Sequence, residues 1–294
     1  MPEGAYSEAY AVGDRAQFVG GAEVSGQALR GFLWQAGNTV DLGTLGGDYS
    51  EARGINRRGD VVGAAETPGG AQHAFLRRNG LLLDLGTLGG QFSQAYGVNA
   101  RAEVVGGAEV PAGGLHAFLW RNGTMFDLGT LGGAFSEAYA VNDRGQVAGA
   151  AEGADGAVHA FLWQAGRMTD LGTLGGANSR AAGISRRGWV VGGAETEDGA
   201  VHAFLWRAGK MEDLGGLGGA FSEACAVNQR GQVVGGAETA GGTVHAFLWQ
   251  GGHMLDLGTL GGVESWAYGV NERGQVCGGA EAPLGGALRA FRLP

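Results

Sequence analysis

Serine, histidine and aspartate recur along this chain at fixed spacing, and together these residue types form the catalytic triad of many hydrolases. In one stretch they stand at His159, Asp170 and Ser179. In a triad the histidine takes the proton of the serine hydroxyl and the aspartate orients the imidazole. The histidine recurs in five copies, with arginine in the two outer ones: His73, His116, His159, His202, His245, Arg30 and Arg289. A triad needs a single pre-organised geometry, so this recurrence favours a structural hydrogen-bond network between strands.

A glutamate and an arginine recur in every copy. The glutamates are Glu23, Glu66, Glu109, Glu152, Glu195, Glu238 and Glu281, and the arginines are Arg15, Arg58, Arg101, Arg144, Arg187, Arg230 and Arg273. Each copy offers one histidine and one glutamate, without the close ligand pairs of a tetrahedral zinc site. We therefore predict no metal site, and a cation-attracting ring of the seven glutamates is the alternative. The arginines are predicted to make contacts within turns and between neighbouring repeats.

The glycine-rich segment DLGTLGG occurs six times, once as DLGGLGG at residues 213–219, and glycine-rich loops can cradle phosphate groups. A phosphate cradle needs the loop to lead into the N-terminus of a helix. Here the segment leads into alternating small and large residues, which are typical of a strand. We predict a turn at each copy and no cofactor.

All these residues belong to one internal repeat of 43 residues. The aspartate of DLGTLGG falls at Asp41, Asp84, Asp127, Asp170, Asp213 and Asp256, and the serine after it falls at Ser7, Ser50, Ser93, Ser136, Ser179, Ser222 and Ser265. The spacing never slips, and no linker interrupts it. Fixed periods of this length are typical of stacked supersecondary units, so residues 1–294 are predicted to form a single domain. We number the repeats from one to seven by these serines.

Each repeat is predicted to form four short β-strands. In the fourth repeat they cover residues 135–141, 146–152, 159–163 and 168–174, with turns at 142–145, 164–166 and Gly175-Gly176. Residues alternate with period two in the first strand, and no segment has helical spacing. Four strands per repeat of about this length are typical of one blade of a β-propeller.

The predicted fold class is therefore all-β: a seven-bladed β-propeller of 43-residue, four-stranded repeats. The last blade is expected to lack its outer strand unless residues 1–5 contribute a short piece. Stacking buries both apolar faces of each sheet, and ring closure covers the end faces. An open β-solenoid is the alternative, but it would need polar caps, and both ends of the sequence continue the pattern.

The segments HAFLW, DLGTLGG and VNxxGxVVG resemble the bacterial HAF repeat, which is described as an extracellular repeat. The resemblance covers essentially the whole chain and brings no catalytic residues with it. It implies an extracellular protein. The first residues, MPEGAYSEAY, lack the basic and apolar regions of a signal peptide. Either a leader was removed, or this protein stays in the cytoplasm, which is the alternative location.

Charge and composition restrict the partners. A net charge of −9 and a pI near 5.1 disfavour nucleic acid and anionic lipid. No apolar run approaches the roughly 20 residues that span a bilayer. Cys225 and Cys277 replace tyrosine and valine of other repeats and are predicted to be small buried hydrophobes. We predict a monomer that binds no nucleic acid and does not insert into a membrane.

If the repeated residues build the scaffold, a specific site lies where the repetition breaks. The residue before the repeated serine is aromatic in five repeats, at Tyr6, Tyr49, Phe92, Phe135 and Phe221. The fifth and seventh repeats have Asn178 and Glu264 there, and Arg180 and Trp266 where the other five have glutamate or glutamine after the serine. Three residues after the serine, tyrosine is replaced by Arg53, Ala182 and Cys225. Trp189 replaces a polar residue in the predicted second strand of the fifth repeat.

By analogy with other propellers, these positions are predicted to surround the loop-rich mouth at one end of the axis. The predicted binding residues are Asn178, Arg180, Trp189, Glu264, Trp266, Arg53 and Cys225. Arginine and tryptophan at such a mouth suit an anionic or flat ligand. The alternative is sequence drift in a tolerant repeat.

The predicted function is a non-catalytic binding or scaffold propeller that recognises a small molecule, glycan or protein. One alternative is a propeller enzyme of the lyase, isomerase or cyclase type, with a pocket formed by Arg180, Trp266, Glu264 and Arg53. The other is a purely structural surface module. An enzyme predicts one asymmetric pocket. A glycan binder predicts several similar shallow sites, and a structural module predicts neither.

Overall fold

The computed structural model describes residues 7–13, 17–24, 29–281 and 288–293. Within these ranges the regular secondary structure consists of 27 β-strands, so the all-β prediction is confirmed. The described residues include no helix long and apolar enough to cross a bilayer. Tyr6, Arg15 and the proposed contribution of residues 1–5 lie outside the described residues. The chain divides into two compact units, Met1–Val147 and Ala148–Pro294.

The first unit contains the first three repeats and the first strand of the fourth. Its strands are β1 (Ser7–Gly13), β2 (Gln17–Glu23), β3 (Leu29–Gln35), β4 (Asn38–Asp41), β5 (Ser50–Ile55), β6 (Val61–Glu66), β7 (Gln72–Arg78), β8 (Leu81–Asp84), β9 (Ser93–Val98), β10 (Val104–Glu109), β11 (Leu115–Arg121), β12 (Thr124–Asp127) and β13 (Gly132–Val141). The strands of each complete repeat pair antiparallel with their neighbours in sequence. One parallel bridge, Leu115 to Phe135, joins β11 to β13.

The second unit continues the fourth repeat and holds the last three. Its strands are β14 (Val147–Gly153), which starts at the last residue of the first unit, β15 (Val158–Gln164), β16 (Arg167–Asp170), β17 (Gly175–Ile184), β18 (Val190–Thr196), β19 (Val201–Arg207), β20 (Lys210–Asp213), β21 (Gly218–Val227), β22 (Val233–Thr239), β23 (Val244–Gln250), β24 (His253–Asp256), β25 (Ser265–Val270), β26 (Val276–Glu281) and β27 (Leu288–Leu293). The parallel bridge from Val201 to Phe221 joins the sheets of the fifth and sixth repeats. The seventh repeat has three strands among the described residues, in the order β25-β26-β27.

The core forms between the sheets of successive repeats. The phenylalanine of HAFLW is fully buried in five repeats, at Phe75, Phe118, Phe161, Phe204 and Phe247. In the first unit, Val62 and Leu76 of the second repeat share a cluster with Val104 and Phe118 of the third. Clusters in the second unit link its neighbouring repeats in the same way. Each sheet thus buries apolar residues by stacking on its neighbour.

Two predicted strand boundaries were wrong. The fourth strand of the fourth repeat was expected at residues 168–174, but β16 ends at Asp170. Its carboxylate accepts a hydrogen bond from the Gly172 amide at 2.8 Å, and Gly172 has a φ of +75°, which turns the chain off the sheet. The turn expected at Gly175-Gly176 therefore comes earlier, and these glycines begin β17.

Candidate functional site

The recurring serine, histidine and aspartate form a structural network. Ser136 Oγ accepts a hydrogen bond from the Ala117 amide at 2.8 Å and donates one to the Gly129 carbonyl at 2.6 Å. Nδ1 of His116 lies 2.9 Å from the Asp127 carboxylate. Serines 93, 179, 222 and 265 bond to the backbone in the same way. Because the hydroxyl gives its proton to a carbonyl, the set is not arranged as a triad.

The recurring glutamates accept hydrogen bonds from backbone amides just after the DLGTLGG segment. The Glu109 carboxylate accepts the Gln91 amide at 2.8 Å, and Glu238 accepts the Ala220 amide at 2.9 Å. Such bonds satisfy backbone donors that would otherwise lack partners. In the part of the chain that the structure describes, no three histidine, cysteine or acidic side chains gather as metal ligands would.

An open cleft of about 430 Å³ lies in the second unit, at the fifth repeat. Its apolar lining includes Val158, Ala194 and Val201, and its charged lining is formed by Arg180, Glu195 and Glu223. Asn178 and Gly193 also line it. The cleft therefore combines apolar walls with a few polar groups.

Asn178 stands where most repeats have an aromatic residue, and its side chain is tied to both neighbours. Its Oδ1 accepts the Val158 amide at 3.1 Å, and its Nδ2 donates to the Glu195 carboxylate at 3.0 Å. These two bonds fix the orientation of the Asn178 side-chain amide. The hydrogen bond from the Asn178 side chain, followed by that from the Ala177 amide, holds the pKa of Glu195 below its usual value. Glu195 therefore stays ionised.

Arg180 forms an ion pair with Glu223, at the equivalent position one repeat later, with a nitrogen–oxygen distance of 2.7 Å. In the first unit the corresponding Glu137 instead accepts tyrosine hydroxyls, from Tyr96 and Tyr139 at 2.8 Å each. Burial raises the pKa of the Tyr96 hydroxyl, and the negative charge of the Glu137 carboxylate is the second-largest cause. The fifth and sixth repeats have Ala182 and Cys225 in place of these tyrosines. Arg180 thus takes over as the partner of the glutamate.

Cys225 lies close to this ion pair. Both cysteines of the chain are free thiols. Burial, followed by the charge of Glu223, raises the pKa of Cys225 to about 12. Because the thiolate is the reactive form, Cys225 is a poor nucleophile at neutral pH. The expectation of an apolar structural role agrees with this environment.

The sixth repeat has the same groove, but it is filled. Phe221 and Trp266 contact each other with ring centroids 6.0 Å apart and an interplanar angle of 57°. A methyl group placed on Gly236 would lie 2.7 Å from the Trp266 ring, so the indole covers this glycine directly. The equivalent positions in the fifth repeat are Asn178, Glu223 and Gly193. The cleft is open because two aromatic rings are replaced by smaller polar side chains.

The structure brings together only some of the predicted binding residues. Asn178 and Arg180 line the cleft, and Cys225 interacts with Arg180 and Glu223. Trp266 fills the neighbouring groove instead. Glu264 is exposed just before β25, and its carbonyl accepts the Glu281 amide at 2.9 Å.

Trp189 and Arg53 belong to other environments. Trp189 was predicted in the second strand but precedes β18, because the turn extends by one residue. Its ring packs on the core shared by the fifth and sixth repeats, with the Arg187 guanidinium 5.1 Å from its centroid. Arg53 lies in the first unit, where it stacks 4.2 Å from the centroid of Tyr10 and pairs with Glu51 at 2.9 Å.

Sequence reasoning considered Glu195 only as part of a cation-attracting ring and did not include Glu223 among the predicted binding residues, although both line the cleft. One signal could have found Glu223. Arg180 and Glu223 carry opposite charges at equivalent positions of consecutive repeats. Equivalent positions of stacked repeats are neighbours in space, so such a pair predicts a contact.

No protein-family model matches this sequence, and no curated protein matches it. Solved structures share its fold. The β-propeller domain of the trilobed protease from Pyrococcus furiosus, which has an open velcro topology, is 10% identical, with a TM-score of 0.67 over 99% of this chain and 94% of its own. A puromycin hydrolase, solved as a mutant complexed with PGG, is 14% identical, with a TM-score of 0.65 over 99% of this chain and 52% of its own. TolB from Acinetobacter baumannii is 9% identical, with a TM-score of 0.53 over 80% of this chain and 61% of its own.

This chain thus spans about half the length of the puromycin hydrolase and 61% of TolB. At these identities the likeness concerns the fold alone, which is that of a β-propeller.

Proposed function

We propose that this chain is a single, seven-bladed β-propeller that binds a small organic ligand in the cleft of the fifth repeat without transforming it. The observation that carries the proposal is that the cleft occurs where the repeat loses its aromatic residue, at Asn178. A glycan binder would be expected to have similar shallow sites in several repeats. The groove of the sixth repeat is filled by its own side chains, which disfavours such a series. We also propose that the chain belongs to the HAF-repeat family and that it is located outside the cell.

Ring closure is the first element of the proposal that can be tested. Ser7, Glu8 and Ala9 of β1 are exposed, although their counterparts Ser50, Glu51 and Ala52 are buried. Closure would cover this face. For a compact domain of 294 residues we expect a radius of gyration of about 19 Å in small-angle X-ray scattering. A value several ångströms larger would favour an open coil or two separate lobes.

Filling the cleft tests the binding site. Asn178→Phe restores the residue type of the third, fourth and sixth repeats, so the variant is expected to fold with a Tm within a few degrees of the parent. Fragments that bind the parent in ligand-observed NMR should lose at least about tenfold in affinity, equivalent to about 1.4 kcal/mol. Asn38→Phe makes the same exchange on the exposed strand β4 and should leave binding unchanged. Equal binding by parent and Asn178→Phe would disprove the site.

A further inference from the structure

We infer that the ligand of this cleft is an aromatic amine: a flat ring that carries a cationic nitrogen. The inference rests on the proposed binding function and specifies its ligand. It starts from the comparison between two grooves of the same chain. In the sixth repeat the groove over Gly236 is occupied by the rings of Phe221 and Trp266. In the fifth repeat the same backbone positions leave that space open.

The shape of the missing group follows from this comparison. The backbone around both grooves has the same strand order and register, with Ser179 opposite Ala194 and Ser222 opposite Ala237. A groove that fits aromatic rings when its own side chains supply them also fits a ring supplied from outside. Val158 and Val201 provide apolar contact, and aromatic rings bury large areas in such contacts. A volume of about 430 Å³ lies at the small end of ligand sites.

The charge of the ligand follows from the ionised groups around the cleft. One arginine and two glutamates line it, which gives a net formal charge of −1. Arg180 is held by Glu223 at 2.7 Å, so it attracts an added anion less than an unpaired arginine would. The whole chain carries −9, which adds a long-range attraction for cations. The anionic ligand expected from the sequence is therefore disfavoured, while the expectation of a flat ligand is retained.

Glu223 is the group assigned to the ligand nitrogen. Its side chain is 18% exposed, and a methyl group on Gly193 of the cleft would lie 3.4 Å from its Cγ. Its hydrogen bond from Arg180 uses one carboxylate oxygen, Oε1. A carboxylate has two oxygens and about four acceptor positions, so it can hold an arginine and an ammonium group together. Charge-assisted bonds of this kind are about twice as strong as neutral ones.

Three small probes test the inference on the full chain. Tryptamine carries both features, indole-3-propionate replaces the amine by a carboxylate, and n-butylamine lacks the ring. By isothermal titration calorimetry we expect tryptamine to bind with a Kd on the order of 1 mM or lower, and the two others at least about tenfold more weakly. The affinity of tryptamine should fall as salt is raised. Equal or tighter binding of indole-3-propionate or n-butylamine would overturn the inference.

Two matched variants separate the role of Glu223 from general effects of charge. Glu223→Gln keeps the size of the side chain and an acceptor for Arg180, and it should weaken tryptamine about tenfold. Glu137→Gln makes the same change at the equivalent position of the first unit and should have no effect on binding. Unchanged tryptamine affinity in Glu223→Gln would contradict the assignment. If other fragments bind the parent and are lost in Asn178→Phe while tryptamine fails to bind, the inference fails and the proposed function stands.

Discussion

Replacing Gly106 with alanine is expected to destabilise the protein by about 3 kcal/mol or more, because no space exists there for a methyl group. An added Cβ would lie 1.9 Å from the Gln94 carbonyl oxygen and 2.9 Å from the Ala95 Cα. Both are backbone atoms of the adjacent strand β9, so they cannot move aside as a flexible side chain would. The register of β9 and β10 shifts next to this glycine, between Val105 and Gly106. Such a bulge brings the two backbones close together.

The same close approach occurs in other repeats. A Cβ would lie 1.9–2.0 Å from a backbone oxygen at Gly20, Gly63, Gly192, Gly235 and Gly278. The third residue of the VVG segment is therefore glycine because of the strand beside it.

Gly69 supplies the control for this prediction. Its Cβ would find its nearest neighbour, the Thr67 hydroxyl, at 4.0 Å, and its φ is not in the left-handed region. Gly69→Ala should stay within about 0.5 kcal/mol of the parent or stabilise it slightly. Urea unfolding followed by circular dichroism compares the two variants. Similar free energies of unfolding for Gly106→Ala and the parent would show that the strands do not approach as described.

Replacing Ser136 with alanine is expected to cost about 2–3 kcal/mol, because two backbone groups lose their partner at once. The serine is fully buried, and its hydroxyl is bonded to the Ala117 amide and the Gly129 carbonyl. After the change the buried Ala117 amide cannot bond to water instead. The folded state therefore loses stability by the full free-energy cost of an unpaired buried donor. The Ser136 hydroxyl links the first strand of the fourth repeat, β13, to the third strand of the third repeat, β11, by a hydrogen bond.

His116 is the informative comparison for Ser136, because both belong to the recurring polar set but only Ser136 is fully buried. His116 pairs with Asp127 near the surface, where 42% of the aspartate side chain is exposed. Exposed ion pairs contribute little, so His116→Ala should cost less than about 1 kcal/mol. Equilibrium unfolding of both variants measures the difference. A larger loss for His116→Ala than for Ser136→Ala would contradict the structural network as described.

The repeat itself could be predicted in detail from the sequence. The 43-residue period, the all-β class and four strands in the first six repeats follow from local patterns that each copy repeats. Turn residues also carried local information, as in Asn142–Gly145, where the amide of Gly145 bonds to the Asn142 carbonyl. The end of β16 was misplaced because the competing hydrogen bond, from the Gly172 amide to Asp170, is a side-chain contact that strand periodicity does not reveal.

Sequence reasoning identified only some of the residues that line the candidate site. Breaks in the repetition drew attention to Asn178 and Arg180, and both line the cleft. They also drew attention to Trp189, which packs on the core. A change of residue type is the same signal in both cases, and only the surrounding packing separates them.

By itself, the sequence determined the period, the strand content and the residues that tie each sheet together, because these depend on neighbours a few positions away in a pattern that recurs. Tertiary structure alone decided that one groove is filled and the next is open. That outcome depends on side-chain volumes contributed by different repeats, Phe221 and Trp266 in one case and Asn178 and Glu223 in the other. Packing between separate strands sets such a volume, and no local pattern records it.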